Sequence, residues 1–426
     1  MKTYVLKGNI CYSKSTSQLC FVENGYVVCE NGICLGVYEQ LPECFADFTC
    51  YDYTDKIIIP GLIDLHVHAP QYSFRGMGMD LELIEWLNTH TFVEEAKYSD
   101  IEYAGKAYDI FVEDLVKGAT TRACIFGTIH PKATKMLMEK LEKSGMKAYV
   151  GKVNMDRNSP EYLCEESAES AFRDTEEWIK DSQELKNVKP ILTPRFIPAC
   201  SDELMEKLSI LQKKYWLPIQ SHLSENLGEV QWVRELCPDT AFYGQAYDKY
   251  GMFGRECPTI MAHCVYSSEE EINLMKEQKV FVAHCPESNT NLSSGIAPVR
   301  KYLDMGVKVG LGSDIAAGST LSLFKAMAMA IQCSKLRWRL TDQSLTPLNI
   351  EEAFYLATKG GGEFFGKVGS FEKEYEFDAV VIDDSNIKHP QELNVRERLE
   401  RLIYLGDDRN IVAKFVGGNM LKKIAI

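Results

Sequence analysis

Two histidines stand one residue apart, His66 and His68, at the end of the run Pro60-Gly61-Leu62-Ile63-Asp64-Leu65-His66-Val67-His68. Side chains alternate along a β-strand, so a strand here turns both imidazoles to one side. His222 and His263 each close a further apolar run, at 218–222 and 259–263, and Asp314 closes another at 308–314. Neutral imidazoles with a carboxylate make a donor set for Zn²⁺, and also for Fe²⁺. A lone histidine at a strand end is ordinarily a hydrogen-bonded structural residue. Five such groups at the ends of four strands favour a metal site instead. Glu225 follows His222 by three residues, where a loop carboxylate can reach over that site and move a proton. Of the other histidines, His90, His130 and His389 read as structural or surface groups. His284, in His284-Cys285-Pro286, reads as structural or supporting.

These residues need a scaffold that brings distant strand ends together. Eight apolar runs supply it, at 63–68, 119–126, 148–155, 190–196, 218–222, 259–263, 280–284 and 308–314. Helical patterns lie between most of them. Ala104, Ala107, Ile110, Phe111 and Leu115 are spaced to build one apolar face. In 269–278 the charged residues fall opposite Ile272 and Met275. Eight strands alternating with helices predict an α/β chain with a (β/α)₈ barrel of the TIM type, whose chemistry sits at the C-terminal strand ends. The two ends of the chain differ from this middle. Short β-rich runs there, such as 25–29, 32–38 and 377–382, are set off by Asn24-Gly25 and Asn31-Gly32 turns. They predict one small β-sandwich-like domain from 1–60 plus 370–426, with the catalytic barrel spanning 61–369.

Composition narrows the function. Among 426 residues, 47 Lys and Arg face 61 Asp and Glu, a net charge of −14 with no basic run, which argues against a nucleic-acid partner. No stretch is apolar enough to span a membrane and the first residues carry no signal-peptide core, so a cytoplasmic protein is expected. The 14 cysteines, with no Cys-x-x-Cys pair, then read as reduced thiols. Zinc deaminases of nucleic-acid bases carry His-x-Glu and Pro-Cys-x-x-Cys signatures, and this chain has neither.

The Pro60–His68 run resembles the first-strand signature of the metal-dependent amidohydrolase superfamily, and His222, His263 and Gly312-Ser313-Asp314 resemble its later ligands. Within it the chain is similar to the guanine deaminases. The stretches that carry this are His68-Ala69-Pro70-Gln71-Tyr72-Ser73-Phe74, Thr193-Pro194-Arg195-Phe196, Ser221-His222-Leu223-Ser224-Glu225-Asn226 and Tyr404-Leu405-Gly406-Asp407-Asp408-Arg409-Asn410. Ser313 and Glu287 depart from the family pattern, which often has Thr and Asn there.

The resemblance implies one Zn²⁺ per subunit, with Fe²⁺ as the alternative, on His66, His68, His222 and Asp314. Two-metal relatives use a modified lysine at the end of the fourth strand. Arg195 occupies that place, and a guanidinium is no ligand. The catalytic groups would be Glu225 as proton shuttle, Asp314 as ligand and proton acceptor, and His263 bonded to the attacking water. The substrate would be guanine, with water, in guanine catabolism. An arginine fork matches O6 and N7 of that base, so Arg195 is the expected reader. Gln71 would serve the remaining edge, Phe196 or Phe74 the ring face, and His222, Glu225 and Asp314 the reacting side. Adenine would set a donor against Arg195. A homodimer is also implied. Competing expectations are another aminated purine, a pteridine or a triazine as substrate, or a non-catalytic scaffold that has lost its ligands. The intact ligand set argues against the last.

Overall fold

The computed structural model describes residues 2–421. Eight strands, Leu62–His68, Thr120–Phe126, Lys147–Gly151, Val188–Pro190, Ile219–Leu223, Thr259–His263, Phe281–His284 and Lys308–Leu311, pair in parallel in chain order as two runs of four. A parallel bridge from Leu192 to Ile219 joins the runs, and Asp314 N–H donates to the His66 carbonyl at 2.8 Å across the other seam. The (β/α)₈ barrel expected from the sequence is therefore closed. Ile63, Leu65, Cys124, Ile191, Ile260, Ala262, Phe281 and Ala283 fill its interior. Asp100, Ser167, Ser201 and Ser268 cap the helices that follow them, each accepting from first-turn backbone N–H groups.

Three strands are shorter than the apolar runs suggested. The third ends at Gly151 and only Val153–Asn154 resumes extended pairing, with Thr193–Pro194. The fourth lies at Val188–Pro190 and shares only Pro190 with its expected run, within which Thr193–Pro194 forms a separate short strand. The eighth ends at Leu311, and Asp314 stands beyond it with a left-handed φ of 47°. Ile110 also departs from expectation. It is exposed, while Tyr108 and Val112 join Ala104, Ala107, Phe111 and Leu115 on the buried face of Ile101–Lys117. At about 100° per residue, Ile110 points roughly 120° away from that face.

The chain ends build a single seven-stranded sheet. Thr3–Ser15, Gln18–Glu30, Ile33–Tyr38 and Thr49–Pro60 come from one end, and Ala379–Ile382, Ile411–Val416 and Asn419–Met420 from the other. Thr49–Pro60 lies at the join, parallel to Thr3–Ser15 and antiparallel to Ala379–Ile382. Two strands separate Tyr4 from Phe415, a span of about 14 Å in a flat sheet. Their rings nevertheless stack at 5.7 Å, so the sheet curls over its own core in sandwich fashion. Among the described residues no helix is long and apolar enough to cross a membrane.

Buried charges fasten sheet to barrel. Lys414 Nζ donates to the carbonyls of Leu115, Gly118 and Thr120, where the Ile101–Lys117 helix hands over to the second barrel strand. Burial brings its ammonium down to about 7. Arg122, on that strand, donates to Asp378 at 2.6 Å and to Glu376 at 2.7 Å. Asp378 is fully buried and also accepts from Gly417 N–H. Removing one partner of a buried pair strands the other charge. Asp378→Asn should therefore lower unfolding stability by about 3–5 kcal/mol. Urea denaturation checks this, and a loss under about 1 kcal/mol would show that the pair does not fasten the two parts.

Candidate active site

The strand ends converge as their spacing requires. His68 Nε2 lies 3.2 Å from His66 Nε2 and 3.2 Å from His222 Nε2. Asp314 Oδ1 is 3.2 Å from His66 Nε2 and 3.6 Å from His68 Nε2. His263 Nε2 faces Glu225 Oε2 at 3.5 Å and Asp314 Oδ2 at 3.7 Å. Three facing imidazole nitrogens cannot all be satisfied by one another. A tetrahedral ion with ligands about 2.1 Å away holds them about 3.4 Å apart, so the spacing fits a divalent cation. His66, His222 and His263 form one group of potential ligands, and His66, His68 and Asp314 another. A third is His263, Asp314 and Cys285, a thiol the sequence reading passed over.

Supporting contacts aim these groups. His222 Nδ1–H donates to the Arg195 carbonyl at 2.6 Å, which leaves Nε2 with its lone pair. His263 Nδ1 meets Asn289 Oδ1 at 2.9 Å. Asp64, two residues before His66 and so on the same strand face, accepts from the N–H groups of His66 and Ser313 and from the Ser313 hydroxyl. It ties the first strand to the loop that carries Asp314. A Cβ at Gly312 would sit 2.9 Å from His66 Cβ and 2.8 Å from Cys285 Sγ, so only glycine admits this approach. The Phe126 ring packs on His66, His68 and His222 and keeps that side dry.

Electrostatics divide the roles. Burial, then the neighbouring imidazoles, hold His68 and His222 well below the usual imidazole range, so both rings are neutral. Burial works against an ionised Asp314, yet His66, His263 and His68 keep its carboxyl low. Burial also opposes a charged His263, but Glu225 and Asp314 outweigh it and raise its pKa. Burial pushes Glu225 up to about 7.

The Amidohydrolase family profile matches residues 57–421. The chain belongs to that family. Among its relatives, the guanine deaminase of Dictyostelium discoideum is 37% identical over 98% of both chains. The human guanine deaminase is 39% identical over 86% of this chain and 83% of its own. A crystal structure of guanine deaminase from C. acetobutylicum, with guanine bound in its active site, has a TM-score of 0.96 and 50% identity. It covers 99% of this chain, which in turn covers all of it.

In this amidohydrolase a narrow cavity opens beside the histidine cluster. Gln71, Arg195 and Phe196 line it together with His68, His222, Glu225, His263 and Asp314. Phe74 does not. It packs on Trp86 and stacks on His90. Leu83, Trp86 and Leu87 supply the apolar wall instead, from a helical stretch that ends at Ala96. Two further buried carboxylates went unnoticed in the sequence. Glu229 accepts from the N–H groups of Glu225 and Asn226 and so fixes the loop bearing Glu225. The Asn226-x-x-Glu229 capping pattern was the available signal. Glu95 receives two donors from Arg195, at 2.5 and 3.1 Å, and one from Gln71 at 2.9 Å. Its neighbour Glu94 makes the pair look like an ordinary solvated helix face. The Arg195 fork is thus partly engaged within the protein, because a buried guanidinium needs a counter-charge.

Removing a metal-facing imidazole should remove the metal. His222→Ala, and likewise His66→Ala, should purify with well under half the metal content of the unmodified protein. Elemental analysis after dialysis reads this directly, and stoichiometric metal in His222→Ala would break the proposed ligand set.

Proposed function

We propose that this chain hydrolyses guanine to xanthine and ammonia, on one Zn²⁺ held by His66, His68, His222 and Asp314, with Fe²⁺ as the alternative ion. The observation that carries the reading is that one cavity is lined both by groups able to handle protons, Glu225 and His263, and by groups able to read a base, Gln71 and Arg195. The guanine deaminase relatives and the guanine-bound structure support it. A divalent ion at the cluster supplies a Lewis acid that lowers the pKa of water toward 7.

The chain's own residues do the rest. Glu225 Oε2, as carboxylate, takes a proton from the attacking water and delivers it to the ring nitrogen next to the carbon that carries the amino group. A second proton, through the same oxygen, lets the amine leave as ammonia. A pKa raised to about 7 suits a group that must both take and return a proton. His263, kept protonated more readily than a free imidazole, donates toward the oxygen that develops charge. Asp314 stays ionised and orients the water. Arg195 turns its unengaged donors to O6 and N7, and Gln71 serves the opposite edge. Phe196 and Trp86 cover the base and exclude solvent.

The homodimer and the cytoplasmic setting expected from the sequence remain part of this reading. All 14 cysteines are free, which suits a reducing compartment.

Glu225→Gln keeps size and hydrogen bonding but cannot take a proton. Metal content should hold while kcat falls by about 10²–10⁴-fold. In the unmodified enzyme kcat/KM should drop as the pH falls below about 7, since the protonated carboxyl is no base. Near-normal turnover by a metal-loaded Glu225→Gln variant would remove Glu225 from the mechanism. Arg195→Lys replaces a planar fork by a point charge. It should lower kcat/KM for guanine on the order of 10²-fold, about 3 kcal/mol, with adenine a poor substrate throughout. A panel of guanine, adenine, an aminopteridine and an aminotriazine tests this. Turnover of another panel member ahead of guanine would change the assigned substrate.

A further inference from the structure

Gln71 and Arg195 reach the cavity from different elements. Gln71 sits in the short helical turn Ala69–Phe74 after the first strand, and Arg195 follows the short strand Thr193–Pro194. Nothing in either element fixes how its side chain meets a flat ligand. Both are buried, and both end on the same carboxylate, that of Glu95, which is 1% exposed. Arg195 Nη1 and Nη2 each donate to one Glu95 oxygen, and Gln71 Nε2 donates to Oε1.

The far end of the amide is also engaged. Gln71 Oε1 accepts from Ala316 N–H at 3.1 Å. An amide can be turned over without changing shape, but here the two ends are chemically distinct. A flip would set the carbonyl against the Glu95 carboxylate and the NH₂ group against Ala316 N–H. Glu95 thus determines which end of Gln71 donates. Two of the five N–H donors on Arg195 go to Glu95, and three remain for a ligand. Phe92, three residues before Glu95 on the helix Phe92–Ala96, lies under the guanidinium at 5.1 Å from its ring centroid. One helical turn therefore sets both the face and the edge of Arg195.

The contacts run on round the cavity. Ala316 follows Asp314 by two residues, and the Arg195 carbonyl holds His222 Nδ1. Leu83, Trp86 and Leu87, which wall the cavity, lie on the same helical stretch as Glu95, the first two before the π-turn Leu87–Thr91 that precedes Phe92 and Leu87 at its start. We propose that Glu95 is the positioning residue for base recognition. From the segment that covers the cavity, it sets the donor pattern of Gln71 and Arg195 and is not itself a catalytic residue. This rests on the guanine reading above.

The test compares the unmodified enzyme with Glu95→Gln and Glu95→Asp on guanine, with metal content and melting temperature measured for each. Gln keeps the length but offers a single acceptor oxygen. Asp keeps the charge, so the buried guanidinium stays paired, but is one methylene too short to serve Arg195 and Gln71 together. Both should raise KM for guanine by about tenfold or more, with kcat within about threefold and full metal content. Folded, metal-loaded variants with unchanged KM would overturn the proposal. So would variants that fail to fold, or that lose only melting temperature, since Glu95 would then be a purely structural residue. Absence of guanine turnover by the unmodified enzyme would instead sink the substrate reading, and that result is separate from any difference between variants.

Discussion

Four imidazoles and a carboxylate share one buried corner of the barrel, with ring nitrogens 3.2 Å apart. Burial keeps most of the rings neutral, and neutral rings with facing lone pairs do not attract one another. Such a cluster is unfavourable in a dry interior unless something positive sits among the lone pairs. The surroundings are built around that constraint. Asn289 and the Arg195 carbonyl each engage the outer ring nitrogen of a histidine and so turn its Nε2 inward, while Asp64 holds the His66 backbone N–H. Gly312 yields its side-chain space, and Phe126 closes the side away from the cavity. His263 and Asp314 hold left-handed φ values of 71° and 47° at the rim, a backbone strain that persists only where the surrounding contacts over-determine it.

The reaction side and the recognition side of the cavity are held by different means. Glu225 is fixed through its backbone, by Glu229 below it, while Ser294 donates to its Oε1 at 3.2 Å. Glu271 reinforces the same loop by accepting from Ser224 and from Gly244 N–H. Its burial runs against the expectation that the charged residues of its helix face outward. Across the cavity the polar groups are fixed through their side chains. On the proposed reading one group of residues moves protons and the other matches a hydrogen-bond pattern, and each is held by a buried carboxylate, Glu229 or Glu95.

Much of this was legible in the sequence because the barrel repeats a simple signal. The first, second, fifth, sixth and seventh strands fall within one residue or two of the apolar runs, and the four clustered imidazoles come from the ends of the first, fifth and sixth. The third strand is shorter than its run because apolar character continues past Gly151, and the fourth lies ahead of its run because Val188 and Lys189 carry no sustained apolar signal. Glu95 was invisible for a different reason. Its partners lie 24 and 100 residues away, and a glutamate on a helix carries no local mark of burial. Asp64 and Glu229 did carry marks, a period-two position and a capping pattern. Neither mark separates a supporting carboxylate from an ordinary strand or capping residue, so their role is not readable from the sequence alone.

The seven-stranded sheet bears on how the chain is made. Thr49–Pro60 pairs with Thr3–Ser15 on one side and with Ala379–Ile382 on the other. About 320 residues separate it from that second partner. At synthesis rates of about 5–20 residues per second, the partner emerges roughly 16–64 s later. Throughout that interval the nascent chain carries an unpaired strand edge with Ile57, Ile58 and Ile59 on it, the kind of edge that templates aggregation. Protection of that edge during translation is therefore as much a requirement of this fold as the barrel itself.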